Sequence, residues 1–198
     1  MRAAATLLFV LASALPVGAT PSRALVASYG LDPELVPPTC RWVVTGTRMG
    51  ARISVASCAS RLALEKLELD DSPASVAVVE RAVRWSAEVF DSVIAAGNPL
   101  ERVVALHGRA DQLDGMVARI RRTAPNLMWH TTGQELASAQ DKHGMIEAAI
   151  APWTRDAAAA NDAIVQLARQ HPDIRQDPVA AIAVKAAEDA IRARVASR

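Results

Sequence analysis

The chain has 198 residues, 51% of them hydrophobic, 22% charged and 4% aromatic, with 22 basic against 21 acidic side chains. That composition can bury a core, which excludes collagen-like, low-complexity and charge-driven disordered classes. Balanced charge without a basic stripe also argues against a nucleic-acid partner, since phosphate neutralisation supplies such a binder's affinity.

In chain order, Arg2 is followed by a short apolar run and then by the small residues Val17-Gly18-Ala19. This pattern predicts a signal peptide over residues 1–19, cleaved after Ala19, and hence a secreted or periplasmic protein; an uncleaved anchor is the alternative. Pro16 interrupts the run, and no later stretch reaches membrane-spanning length, so no span is expected after cleavage. Cleavage takes away Arg2 and leaves 21 basic against 21 acidic side chains.

Residues 20–39 carry Pro21, Pro33, Pro37 and Pro38 and read as an extended lead-in. Residues 40–198 read as one domain. Two β-rich runs, 42–45 and 53–55, surround Gly46 and Gly50. They predict a hairpin, or a strand leading into a glycine turn. Cys40 and Cys58 flank them symmetrically, and an even cysteine count in an oxidising compartment favours one disulfide over a reactive thiol or a metal site.

Ser72-Pro73 forms a helix start, N-cap then proline. Val76, Val79, Val83 and Ala87 then recur at helical spacing. Beyond this helix the pattern supports two readings. In one, everything after residue 98 is helical. Val103, Leu106, Ala110, Leu113, Val117 and Ile120 form one seam; Leu136, Ala139, His143, Ile146, Ile150, Trp153, Ala157, Ala160, Ile164 and Leu167 form a second. The two seams would make an antiparallel helical hairpin, with Pro152 breaking or kinking the second.

In the other reading, residues 90–98 and 126–133 are buried strands alternating with helices over 109–122, 154–170 and 179–195. That alternation implies an α/β fold, a parallel sheet with helices on both faces. Trp129 with Thr131 and Thr132 after a proline stop favours the strand at 126–133, so α/β is the preferred expectation and an all-α bundle its alternative.

The order of these segments, with the Trp129-His130-Thr131-Thr132 run and the RDAAAANDAIVQLARQHPDI helix, resembles the later two-thirds of SGNH (GDSL) esterases and lipases over residues 41–195. The resemblance implies a flavodoxin-like sheet and ester-hydrolase ancestry. It does not carry the machinery across. Gly46 matches the first motif, but Thr47 and Arg48 stand where that family has Asp and Ser. Gly97-Asn98-Pro99-Leu100 lacks the spacer and aspartate of the second, and no Asp-x-x-His occurs; His171-Pro172-Asp173 is the nearest approach. Without an activated nucleophile there is no acyl acceptor.

Ligands of open parallel sheets bind beyond the strand ends. The α/β reading therefore assembles a cleft from Gly46, Thr47, Gly97, Asn98, His130, Thr131 and Thr132. No cofactor and no metal are expected: His107, Asp111 and Asp114 share a helical spacing but read as an ordinary hydrogen-bonded group. The four tryptophans read as core or half-core residues, the 157–160 alanines as a close-packing surface, and Arg119, Arg121 and Arg122 as a solvated helix end. The expected function is that of an exported SGNH-like binding module, a pseudoenzyme of the cell envelope, taking a small ester or glycan ligand or an envelope protein. Its alternatives are an exported helical bundle acting by protein–protein contact without a small-molecule pocket, and an active esterase with a relocated nucleophile.

Overall fold

Helical spacing runs without interruption through the segments that also fit strands. In the computed structural model, which describes residues 22–44, 46–67, 69–70, 72–125 and 132–196, the order is α1 (Arg23–Ser28), α2 (Arg48–Lys66), α3 (Pro73–Ala96), α4 (Pro99–Arg121), α5 (Gly133–Gln170) and α6 (Pro178–Ala196). Short 3-10 turns at Pro38–Val43 and Pro172–Gln176 precede α2 and α6. No strand occurs among the described residues, so the expected α/β flavodoxin-like sheet is overturned and the all-α alternative is the observed class.

The correction has a physical cause at each point. Residues 90–96 belong to α3 because Val79, Val83, Ser86, Phe90 and Val93 recur four and three residues apart, and all five are buried. That is a single 3.6-residue face. Trp42 and Val43 lie in a 3-10 turn, and Ile53 and Val55 lie inside α2. There the repeat Ala51, Val55, Ala59, all buried, overrides the strand preference of the β-branched residues. The lead-in is not extended throughout, because Ser22 caps the short α1 through its hydroxyl, 3.2 Å from the Leu25 N–H. Gly30, at φ +72°, ends α1 with its N–H on the Ala27 carbonyl at 2.9 Å, a left-handed turn that glycine adopts without penalty.

Residues 126–131 lie outside the described residues, as do residues 1–21. Thr132 is the N-cap of α5 and Gly133 its first residue, so the end of the expected strand 126–133 is a helix start. The expected helix over 154–170 is the second half of α5, which continues through Pro152. Pro152 has no N–H to give the Ala148 carbonyl, so the helix continues through it at the cost of one backbone bond. The six residues of the α4 seam are all buried. In the α5 seam, Leu136, His143 and Trp153 are half-buried and the rest buried. Ser72-Pro73 starts α3 as read, although the Ser72 hydroxyl donates to Asp70 at 2.6 Å instead of capping the helix. Hydrogen bonds from Ser72 and Ser75 hold the Asp70 carboxyl down at about 2.

Short connections make α2, α3 and α4 an up-down-up set. Helix α5 returns antiparallel to α4: Met116, Val117 and Ile120 share a cluster with Ile146 and Ile150, while Val103, Leu106 and Ala110 share one with Ile164, Leu167 and Ala168. Helix α6 folds back on α5 through Ala180, Ala183, Val184 and Ala187. The Asp177 carboxylate caps α6, accepting from the Val179 and Ala180 N–H groups at 2.9 Å each. Across the N-terminal side, Val26, Leu31, Val36, Cys40 and Val44 lie over Val55, Phe90 and Val93. The disulfide Cys40–Cys58 joins this strap to α2. Among the described residues, no helix is long and apolar enough to cross a membrane.

Candidate binding groove between α2 and α4

Glycines set how closely the two parallel helices α2 and α4 approach. A Cβ on Gly108 would stand 2.5 Å from a Phe90 ring carbon and 3.2 Å from the Ser57 hydroxyl, and one on Gly115 would stand 3.1 Å from a Leu64 methyl. Positions 108 and 115 are seven apart, as are 57 and 64, so the helices run in matched register. Where the walls part above this floor, a groove of about 490 Å³ opens. A volume of that order suits a ligand or a short chain segment.

The floor is held rigid from below. Buried Gln112 donates from Nε2 to the Ser86 hydroxyl at 2.7 Å and to the Val83 carbonyl at 3.1 Å, while Arg109 donates to its Oε1 at 2.5 Å. Arg109 also lies 3.7 Å from Asp91. This network ties α3 to α4 and satisfies a polar side chain whose burial would otherwise be costly.

Three guanidinium groups rise on the walls: Arg61 from α2, and Arg119 and Arg122 from α4. None of them has an ion-pair partner among the described residues, and the buried Nε of Arg119 has no hydrogen-bond partner. Their neighbour Arg121 behaves differently. It faces α5 and forks onto Glu147 with two bonds of 2.9 Å, which lowers the Glu147 pKa and raises its own. Arg121 and Arg122 are exposed at the helix end as read, Arg121 also being ion-paired, whereas Arg119 is half-buried.

Acidic groups mark the rest of the groove. Glu65 and Asp111 line it, and Asp111 lies 3.5 Å from His107 Nε2. Asp114, one turn further along α4, has its carboxyl pushed above the usual range, first by burial and second by Asp111. His107 and Gly108 sit inside α4 and not at a helix entrance. Among the described residues, no three or more His, Cys, Asp or Glu side chains converge as a metal site would need.

The cleft expected from the α/β reading falls on different features. Gly46, at φ +80°, and Thr47 begin α2; Gly97 and Asn98 form the α3–α4 corner. Because α2 and α3 are antiparallel, these four residues share one end of the bundle. The side-chain oxygens of Thr47 and Asn98 are engaged in helix caps: Thr47 accepts from the Gly50 N–H at 3.1 Å, and Asn98 accepts from the Glu101 N–H at 3.0 Å in a full capping box. Thr132 caps α5 beyond the far end of α4, about 34 Å away along a helix of this length. His130 and Thr131 lie outside the described residues.

Of the tryptophans, Trp85 and Trp153 are half-buried, but Trp42 is exposed, contrary to expectation. Ala157 and Ala160 are buried in helix–helix contacts, where the α/β reading placed them against a sheet. The sequence signal that was missed is the Gly108–Gly115 spacing, two glycines on one face of an otherwise strong helix. The chain matches no protein-family model, no curated protein and no solved structure.

Proposed function

We propose that this chain is an exported helical-bundle protein that acts by contact with another protein, and that the α2–α4 groove is its contact surface. The observation that carries the reading is the groove itself: two helices locked at close range by glycines, with three arginines on its walls that have no ion-pair partner among the described residues. Guanidinium groups are fork-shaped and weakly hydrated, which suits them to interfaces. The Cys40–Cys58 disulfide supports the export half, because such bonds persist in oxidising compartments.

Two experiments test it. Expressed with its own N-terminus in a bacterium that has a periplasm, the chain should be recovered there, beginning at Thr20, with both cysteines resistant to maleimide until reduced. Cytoplasmic retention with free thiols contradicts export. A photo-crosslinking amino acid at position 61 should capture a discrete partner whose linked segment mass spectrometry identifies, whereas one at position 169, an exposed site on α5, should not. Equal yields from both positions contradict the groove as contact surface.

A further inference from the structure

Resting on that reading, we infer that the partner presents an extended, acidic peptide segment to the α2–α4 groove, its carboxylates held by Arg61, Arg119 and Arg122. The groove follows α4 from Gly108 to Arg122, about 21 Å of helix. About six residues of extended chain cover that length. A compact ligand would leave one end of it empty.

The charges are arranged along this length and across it. Arg61 comes from one wall; Arg119 and Arg122, three residues apart on the same side of α4, come from the other. A strand laid between them can offer carboxylates to both walls, where charge-assisted bonds from guanidinium groups are strong. Leu64 and the glycines put hydrocarbon on the floor beside the polar Ser57, Ser60 and Gln112, so an apolar side chain on the alternate face of an extended segment can meet apolar surface at Leu64. Glu65 and Asp111 on the same groove disfavour a featureless polyanion, because they would face it with like charge. What fits is a short segment alternating acidic and apolar residues.

The test uses the full, oxidised protein and a fluorescein-labelled, end-blocked hexapeptide, Glu-Leu-Glu-Leu-Glu-Leu, with the same peptide carrying Gln for Glu as its partner probe. Anisotropy should show binding of the acidic peptide, at least tenfold weaker binding of the Gln peptide, and weakening as salt is raised. Arg61→Gln combined with Arg122→Gln should cost at least tenfold, and Arg169→Gln should cost nothing. Positions 61 and 122 are exposed, so the fold tolerates the change, and circular dichroism verifies this. The inference is overturned by no binding, by equal binding of the two peptides, or by indifference to the double variant. Complete displacement of the peptide by equimolar inorganic phosphate also overturns it, since the site would then read a point anion. A partner captured at position 61 together with no acidic-peptide binding removes this inference and leaves the interaction reading standing.

Discussion

Around Phe90, helices meet through glycine and a large ring; between α5 and α6 they meet through alanine. In the first region Phe90 is fully buried against Gly108, and the strap carrying Val26, Leu31, Val36 and Cys40 closes over it. In the second, Ala160, Ala168, Ala180, Ala183 and Ala187 pack with Ile164, Ile174 and Val184. Alanine is the best helix former and allows close approach at no cost in helix stability, but each residue buries little. Glycine permits a closer approach at a helix penalty of about 1 kcal/mol, which the large ring can offset. The strap adds a further cost, because ordering an irregular segment loses backbone entropy that no helix repeat returns. The Cys40–Cys58 bond limits that loss by restricting the unfolded chain. Thus the N-terminal region depends on a few irreplaceable contacts, whereas the alanine hairpin spreads its stability over many small ones.

The largest expected effect is at the ring. Phe90→Ala should lower unfolding free energy by about 3–5 kcal/mol in urea denaturation, against about 1 kcal/mol for Ile164→Val in the alanine hairpin. Comparable losses at the two sites would erase the contrast. Next comes the staple: Cys40→Ala with Cys58→Ala should cost about 3 kcal/mol, and hydrogen exchange should speed in the strap before it speeds in α6.

The third prediction separates two glycines. Gly108→Ala should destabilise by about 1 kcal/mol net, since overpacking against Phe90 outweighs the gain in helix propensity. Gly144→Ala in α5, with nothing within 4 Å of the new methyl, should stabilise by up to about 1 kcal/mol. Thermal melts of the two variants should therefore move in opposite directions.

The smallest effect is electrostatic and lies at Asp114. Asp114 has a raised pKa, so the unfolded chain releases that proton more readily than the folded one. Its ionised form costs stability above the raised pKa, and the cost vanishes below the ordinary value of 3.8. Asp114 is solvent-exposed, which screens the effect, so Asp114→Asn should stabilise only slightly at neutral pH and not at all in acid, measured as paired denaturation curves.

Much of the helix-by-helix core could be read from spacing alone. The seam from Val103 to Ile120 is buried throughout, and Ser72-Pro73 begins a helix as its residue types require. The preference for α/β rested on 126–133, of which only the helix-start residues Thr132 and Gly133 are described; at 90–98 a short apolar run fits a strand and a helix equally well. Only continuity with Val79, Val83 and Ser86 on the same face separates them. Asn98-Pro99-Leu100-Glu101 carries a capping box, but a glycine just before it also suits a strand-end turn, so the local chemistry fitted both readings. The Gly108–Gly115 spacing hints at a close helix contact, but which residues line the groove was beyond reach of the sequence, because Arg61 and Arg119 come to line it only through the register between α2 and α4.

Backbone carbon chemical shifts across Arg48–Lys66 and Pro73–Ala96 test the central claim most directly. Unbroken helical shifts are expected through Ile53, Val55 and the whole stretch from Phe90 to Ala96. Extended shifts at either place would contradict the bundle, and with it the groove built on its two parallel helices.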